Sequence, residues 1–290
     1  MEPERTIQGR TLSPSDIDFI RSALQKHWER GRKFISRYIC QQWGWLQPNG
    51  SLKDMACRGL LLRLEDLGLI TLPPRKRQAN NHLRNRRPLS IQVDTTPVEP
   101  TLKSIMPIEL HMVRWTEYEI LFNALVGSYH YLGYQQIVGA HLKYIAFSHG
   151  RPLGCIGWGA AAWRVMCRDG YLGWSNLARR QRLHLIVQNT RYLILPWVRI
   201  PHLASYLLAL NAKVLSLDWQ KVYCHPVVLL ETFVDRERFQ GTCYRAANWI
   251  YLGETKGRGK YDRENRRGKS VKAVFVYPLR RDFRRILRGE

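Results

Sequence analysis

"LILPWVRIPHLASYLL", residues 193–208, decides how this chain folds. Upstream it continues "RLHLIVQNTRYLILP", residues 182–196, whose β-branched and apolar residues read as extended strand. Pro196 and Pro201 interrupt that run. The next residues, "HLASYLLALNAKVLSLDWQKVY", 202–223, carry apolar side chains at helical spacing. Then "PVVLLETFVD", 226–235, is a continuous apolar run of strand length, the signature of a buried strand. Strand, loop, helix, strand predicts a central sheet with helices packed on it.

The flanking residues extend the pattern. "EYEILFNALVGSYHYLGY", 117–134, begins as a helix and ends in an aromatic knot. "HLKYIAFSHGRPLGCIGWGAAAW", 141–163, predicts two strands joined by a turn at His149-Gly150. "FQGTCYRAANWI", 239–250, suits a short helix and "YLGETKGRG", 251–259, a strand running into a loop. "SVKAVFVYPL", 270–279, is the last strand. The fold class expected is α+β, a mixed sheet over residues 109–290.

The first 90 residues read differently. In "SPSDIDFIRSALQKHWERGRKFISRYICQQWGW", 13–45, Ser13-Pro14 starts a helix with Asp16 and Asp18 in its first turn. Gly31 breaks it, and a second helix is expected over 33–43. "SLKDMACRGLLLRLEDLGLITLPP", 51–74, follows, with Ser51 as helix cap, Leu60, Leu61, Leu64 and Leu67 on one helical face, and a short strand before Pro73-Pro74. Helix, helix, turn, helix, strand is the order of a winged helix-turn-helix. The acid-free stretch "RKRQANNHLRNRRP", 75–88, would be its basic wing or arm. Four prolines at 88, 97, 100 and 107 mark a linker over 91–108.

The charge balance points the same way. Lys and Arg number 46 against 23 Asp and Glu, a formal charge of +23 that attracts a polyanion. The candidate nucleic-acid contacts are Lys53, Arg58, Arg75, Lys76, Arg77, Arg84, Arg86 and Arg87 in the first part. In the second they are Arg245, Lys256, Arg258, Lys260, Arg263, Arg266 and Arg267. From residue 255 onward 13 basic residues face only Asp262, Glu264, Asp282 and Glu290, and "RRDFRRILRGE" reads as a basic helix. DNA, single-stranded or branched forms included, is the expected partner. The start "MEPERTIQGR" has no apolar signal segment and no run is long enough to span a membrane, so a cytoplasmic location is expected. The six cysteines lack metal-ligand spacing and read as free thiols, and no metal site is expected.

Three residues are candidates for chemistry. Glu231 ends a buried strand, where a carboxylate could hold Mg or Mn for phosphodiester cleavage, or pair with an arginine inside the domain. Asp235, four residues on, could join it or cap the next helix. Tyr244 lies in "GTCYRAANW", 241–249, with Arg245 and Asn248. His130 sits among Tyr129, Tyr131 and Tyr134, as a base or as a packed ring. The glycines of "LGCIGWGAAAW", 153–163, follow the wrong order for a nucleotide loop and suit close backbone packing. Trp158, Trp163 and Trp174 could stack on bases or fill the core. Serine-hydrolase, zincin and P-loop motifs are absent from the sequence.

"YHYLGY", "LGCIGWGAAAW", "RLHLIVQNTRYLILPWVRIPHLAS", "LLETFVDRERFQGTCYRAANWIYLGETKGRG" and "VYPL" resemble a domain found in the A subunit of Druantia anti-phage defence systems and in transposase-like proteins of mobile elements. The resemblance covers about 110–285, and "NGSLKDMACRGLLLRLEDLGLITLPP", 49–74, also fits. It implies a defence or mobile-element role beside partner subunits. The order of parts also resembles the GNAT acetyltransferase fold, whose pyrophosphate loop would fall at residues 199–204. Arg199 and Ala204 match that loop. His202 replaces its first glycine and Pro201 removes an N–H donor, which argues against acetyl-CoA as a cofactor. An acyltransferase and a nuclease built on Glu231 are the alternatives to a DNA-binding component.

Overall fold

The computed structural model describes residues 5–7, 10–47, 50–75, 88–98, 101–257 and 270–290. The chain divides into two compact units, 1–82 and 83–290.

In the first unit, β1 (Arg5–Ile7) pairs antiparallel with β2 (Arg10–Leu12), followed by α1 (Pro14–His27), α2 (Gly31–Gln42) and α3 (Asp54–Asp66). Helix α1 starts at Ser13-Pro14 as expected, and Ser13 caps it. Its side chain accepts the Asp16 N–H at 3.2 Å, and Asp16 accepts the Ser13 N–H at 2.9 Å. This reciprocal pair satisfies two N–H groups that a helix start leaves open. Ile20, Leu24, Ile35, Ile39, Leu60, Leu61 and Leu64 form one buried core. Cys40 and Cys57 sit in it as free thiols.

Two local expectations are corrected. The third helix begins at Asp54, so Lys53 and not Ser51 stands at its cap position. The strand expected before Pro73 does not form. The Leu72 N–H goes to Glu65 Oε1 at 2.9 Å, and Arg32 donates to the Pro73 carbonyl at 2.6 Å. Side chains from the helices thus take the backbone groups a strand partner would need. Among the described residues this unit shows three α-helices and one hairpin, and no wing strands after α3.

The second unit holds a seven-stranded sheet in the order β3-β4-β5-β6-β7-β9-β8. Its elements run β3 (Ile108–Met112), α4 (Tyr118–Tyr129), β4 (His141–Ser148), β5 (Arg151–Ala160), α5 (Met166–Leu172), α6 (Asn176–Arg182), β6 (Ile186–Ile194) and α7 (Leu203–Tyr223). They continue as β7 (Leu229–Asp235), α8 (Thr242–Ala246), β8 (Ile250–Glu254), β9 (Lys272–Pro278) and α9 (Phe283–Arg288). The strand–loop–helix–strand order read from residues 182–235 is therefore present, as are the hairpin at His149-Gly150 and the short helix after β7. This is the order the GNAT resemblance implies. Residues 91–98, expected as linker, run along this unit. Val98 bridges Val198, and Asp94 pairs with Arg151 at 3.0 Å.

One feature of the sheet positions the site. All neighbouring strands are antiparallel except β6 and β7, which are parallel and pair only over Ile186–Asn189 and Leu229–Thr232. Both strands run on beyond those pairs, to Ile194 and Asp235. Their far ends therefore make no ladder with each other, and the sheet opens between them. On the other side, β5 packs tightly against β6. A Cβ on Gly154 would stand 2.6 Å from the Leu193 carbonyl oxygen, a distance no side chain tolerates. Close backbone packing is thus what that glycine serves.

Candidate binding cleft

The opening between β6 and β7 is a cleft of about 860 Å³, within the range of sites that hold drug-sized ligands. Its floor is a polar knot. The Tyr244 hydroxyl donates to Asn189 Oδ1 at 2.7 Å and accepts from Thr232 Oγ1 at 3.3 Å. Asn189 Nδ2 donates to the carbonyls of Gly157 (3.0 Å) and Arg191 (3.2 Å), which fixes the amide's orientation. Tyr244 is placed by α8, and its ring meets those of Trp249, Phe275 and Tyr192. Burial pushes its phenol well above the ordinary tyrosine value, with the neighbouring Cys243 adding to the rise, so it stays protonated.

The rim is aromatic and charged. Tyr129, Tyr131 and Phe239 line the cleft and remain 38, 39 and 49% exposed. Tyr131 and Phe239 meet edge to face at 5.3 Å, and the Arg238 guanidinium lies 5.3 Å from the Tyr131 ring centre. Arg191 and Lys272 bring positive charge to the lining and Asp235 a negative one. Arg191 is held by the Gly133 carbonyl at 3.1 Å and the Thr190 carbonyl at 2.8 Å.

His130 also lines the cleft. The Leu132 N–H donates to its Nδ1 at 3.2 Å, which puts the proton of the neutral ring on Nε2. Burial, then the Arg191 charge, lowers its pKa to about 4. The ring is therefore neutral near pH 7 and stacks on Tyr131 at 4.8 Å.

Of the three residues singled out for chemistry, Tyr244 and His130 share this cleft and Glu231 does not. Glu231 is completely buried, with Oε2 accepting from Arg168 Nη1 and Oε1 from the Ala162 N–H, at 2.8 and 2.9 Å. Asp235, at the end of β7, accepts the Glu237 N–H at 3.2 Å and lines the cleft. Arg245 is exposed on α8, with its guanidinium 5.3 Å from the Tyr251 ring. Lys256 is exposed between two cleft-lining residues, Thr255 and Gly257. In the first unit Arg58 pairs with Asp54 at 2.7 Å, Lys53 is half-buried before α3, and Arg75 is exposed. The expected contacts Lys76, Arg77, Arg84, Arg86, Arg87, Arg258, Lys260, Arg263, Arg266 and Arg267 lie outside the described residues. Trp158 is core, whereas Trp163 is 56% exposed. Among the described residues no group of three or more His, Cys, Asp or Glu side chains could hold a metal ion.

Asn189, Arg191 and Phe239 escaped the sequence reading. A signal was there for the first two, because "QNTR" at 188–191 places four polar residues inside an otherwise apolar strand. A fully core-facing strand has no use for that interruption.

The fold and cleft define an α+β protein with a ligand-sized opening between the parallel strands β6 and β7. The chain belongs to the Druantia protein DruA family, whose family model matches residues 64–271. Membership suggests a role in anti-phage defence. No curated protein matches the chain. Among solved structures, a GNAT-family acetyltransferase from Streptococcus pneumoniae is similar at TM-score 0.37 and 11% identity, over 59% of this chain and 98% of its own. An N-acetyltransferase from Staphylococcus aureus Mu50 is similar at TM-score 0.37 and 13% identity, over 60 and 99%. The ribosomal-protein-S18-alanine N-acetyltransferase from Escherichia coli is similar at TM-score 0.34 and 11% identity, over 59 and 94%. Among the described residues no helix is long and apolar enough to cross a membrane.

Proposed function

We propose that this chain is a DNA-binding component of a Druantia-type anti-phage defence system, acting beside partner subunits, and that the β6–β7 cleft takes an unpaired segment of DNA. The carrying observation is the composition of the cleft. Its neutral polar floor is Asn189, Thr232 and Tyr244, and its rim offers exposed Tyr131 and Phe239 beside Arg191, Arg238 and Lys272. Aromatic faces stack on any base, and cations follow the phosphates between them. A formal charge of +23 draws the polyanion in. Arg245 and Lys256 extend the positive surface. On this reading the first unit is a three-helix duplex-docking module that offers Lys53 and Arg75 to phosphates. Neither role uses Glu231, whose two oxygens already have partners inside the fold.

The test is fluorescence anisotropy with labelled single-stranded and duplex oligonucleotides over a salt series. The expected result is tight single-strand binding that weakens steeply between about 50 and 200 mM salt. Binding that ignores salt, or none at low salt, overturns the reading.

A second reading keeps the same cleft for an acyl donor. It is favoured by one observation: Ala204, in the first turn of α7, lines the cleft beside the protonated Tyr244. Against it, Pro201 supplies no N–H, and His202 stands at φ +65°, the conformation a glycine would take most easily. Acetyl-CoA should raise the melting temperature if this reading holds. No shift at millimolar ligand removes it.

A further inference from the structure

We infer that α6 and α9 together form a second DNA site, a grip on the phosphate backbone of duplex DNA. It rests on the nucleic-acid reading above but not on the cleft. The segments 176–182 and 280–288 carry eight arginines and one acid, Asp282. The two helices come from positions a hundred residues apart and are packed together. Contact is close on both sides. A Cβ on Gly289 would stand 2.9 Å from the Arg182 guanidinium, and one on Gly173 would stand 2.9 Å from that of Arg288. Arg288 Nε donates to the Leu172 carbonyl at 2.7 Å.

What marks the surface as a site is the charge left over. Asp282 is taken by Arg280 at 2.9 Å and Arg285 at 3.3 Å. Arg180, Arg281 and Arg284 are exposed and have no acidic partner among the described residues. Arg284 lies over the Tyr171 ring at 4.3 Å, which holds its guanidinium in place. Cations without acidic partners on two helices that pack together repel one another, and a polyanion relieves that repulsion.

The geometry favours duplex phosphate over the other polyanions. Every cation here is arginine, whose planar fork grips phosphate oxygens in pairs. Helix α9 is fixed from below by a core of Leu172, Leu185, Phe283 and Leu287, and α6 packs against α9, so the guanidinium groups stand on a rigid base that suits a rigid ladder of phosphates. A helix that lies in a membrane surface needs a free apolar face. The apolar residues Phe283 and Leu287 of α9 are buried instead, and the single exposed leucine of α6, Leu177, makes no such face.

The experiment combines Arg180→Gln, Arg281→Gln and Arg284→Gln in the full chain, with a labelled duplex, a labelled single strand and phosphatidylserine vesicles as probes. All three positions are exposed, so an unchanged melting temperature verifies the fold. Expected is a log-affinity against log-salt slope for the duplex that becomes shallower by about two to three, since each lost phosphate contact removes about 0.9. Single-strand binding should be retained. A duplex slope equal to that of the unsubstituted chain overturns the site. So does wild-type binding to the vesicles that duplex DNA does not compete away, which would assign the surface to a membrane. The two proposals fail separately. If Tyr131→Ala weakens single-strand binding while the triple variant matches wild type on duplex, only the α6–α9 site falls. If wild type binds neither nucleic acid, both fall.

Discussion

Arg168 and Glu231 form an ion pair with no solvent exposure on either side chain, Nη1 to Oε2 at 2.8 Å. The arginine has further partners. Nε and Nη2 donate to Asp169 Oδ1 at 3.0 and 2.8 Å, and Nη1 also reaches the Ala162 carbonyl at 2.8 Å. The pair therefore ties β7 to α5, and through Ala162 to the chain between β5 and α5. Burial pushes the Glu231 carboxyl upward, and Arg168 opposes that rise.

Removing one partner leaves the other charged and buried, which typically costs about 3–5 kcal/mol. Glu231→Ala leaves Arg168 with only Asp169 as its acidic partner, so it should lower the unfolding free energy of the second unit by up to about that amount. The double replacement Arg168→Met with Glu231→Leu should recover much of it. Denaturant titration of each variant measures this. A Glu231→Ala protein as stable as wild type would show that the pair is not structural.

The same pair shows what could be read from the sequence. An arginine partner for Glu231 was one of two open readings, but Arg168 is 63 positions away and no local pattern names it. The strand–loop–helix order around residues 193–208 was legible because hydrophobic period and proline placement are local properties. The start of α1 at Ser13-Pro14 was legible for the same reason. The strand before Pro73 was misread because Glu65 and Arg32 reach it only in the folded unit. The cleft floor joins Asn189 to Tyr244 across 55 positions, so Tyr244 was visible as a candidate while its partner was not.

The rim aromatics should matter to single strands and little to duplex. Tyr131→Ala or Phe239→Ala removes one stacking face, and base stacking on an aromatic contributes about 1–3 kcal/mol. Either change should weaken single-strand binding about 5- to 150-fold, with Tyr131→Phe close to wild type. Anisotropy titrations with both substrates decide it. Equal losses on duplex and single strand would place the aromatics outside a stacking role.

Gly241 opens α8 at φ +72°, and a Cβ there would lie 2.9 Å from two atoms of the Phe275 ring. Gly241→Ala thus meets both backbone strain and a ring that is itself fully buried. A loss of about 1–3 kcal/mol is expected. Because α8 carries Tyr244, the cleft should loosen with it. Thermal melts and single-strand affinity should fall together, and a variant with normal melting and normal affinity would contradict the packing described.

His130 gives the cleft a pH signature whose sign is fixed. Its pKa in the folded chain is lowered to about 4 from an ordinary 6.5, by burial first and Arg191 second. Between those two values the unfolded chain holds a proton on this ring and the folded chain does not. Protonation therefore favours unfolding, and His130's contribution to stability falls as pH drops from about 6.5 to about 4, then levels off. His130→Gln removes this part of the slope. DNA phosphates in the cleft act in the opposite direction on the ring, because a negative charge nearby favours the imidazolium. NMR titration of the His130 ring should give a midpoint near 4 in the free protein and a higher one with a single-stranded oligonucleotide bound. A midpoint that does not move on saturation with DNA would mean that no phosphate approaches His130, and the cleft would then lose its place in the DNA path.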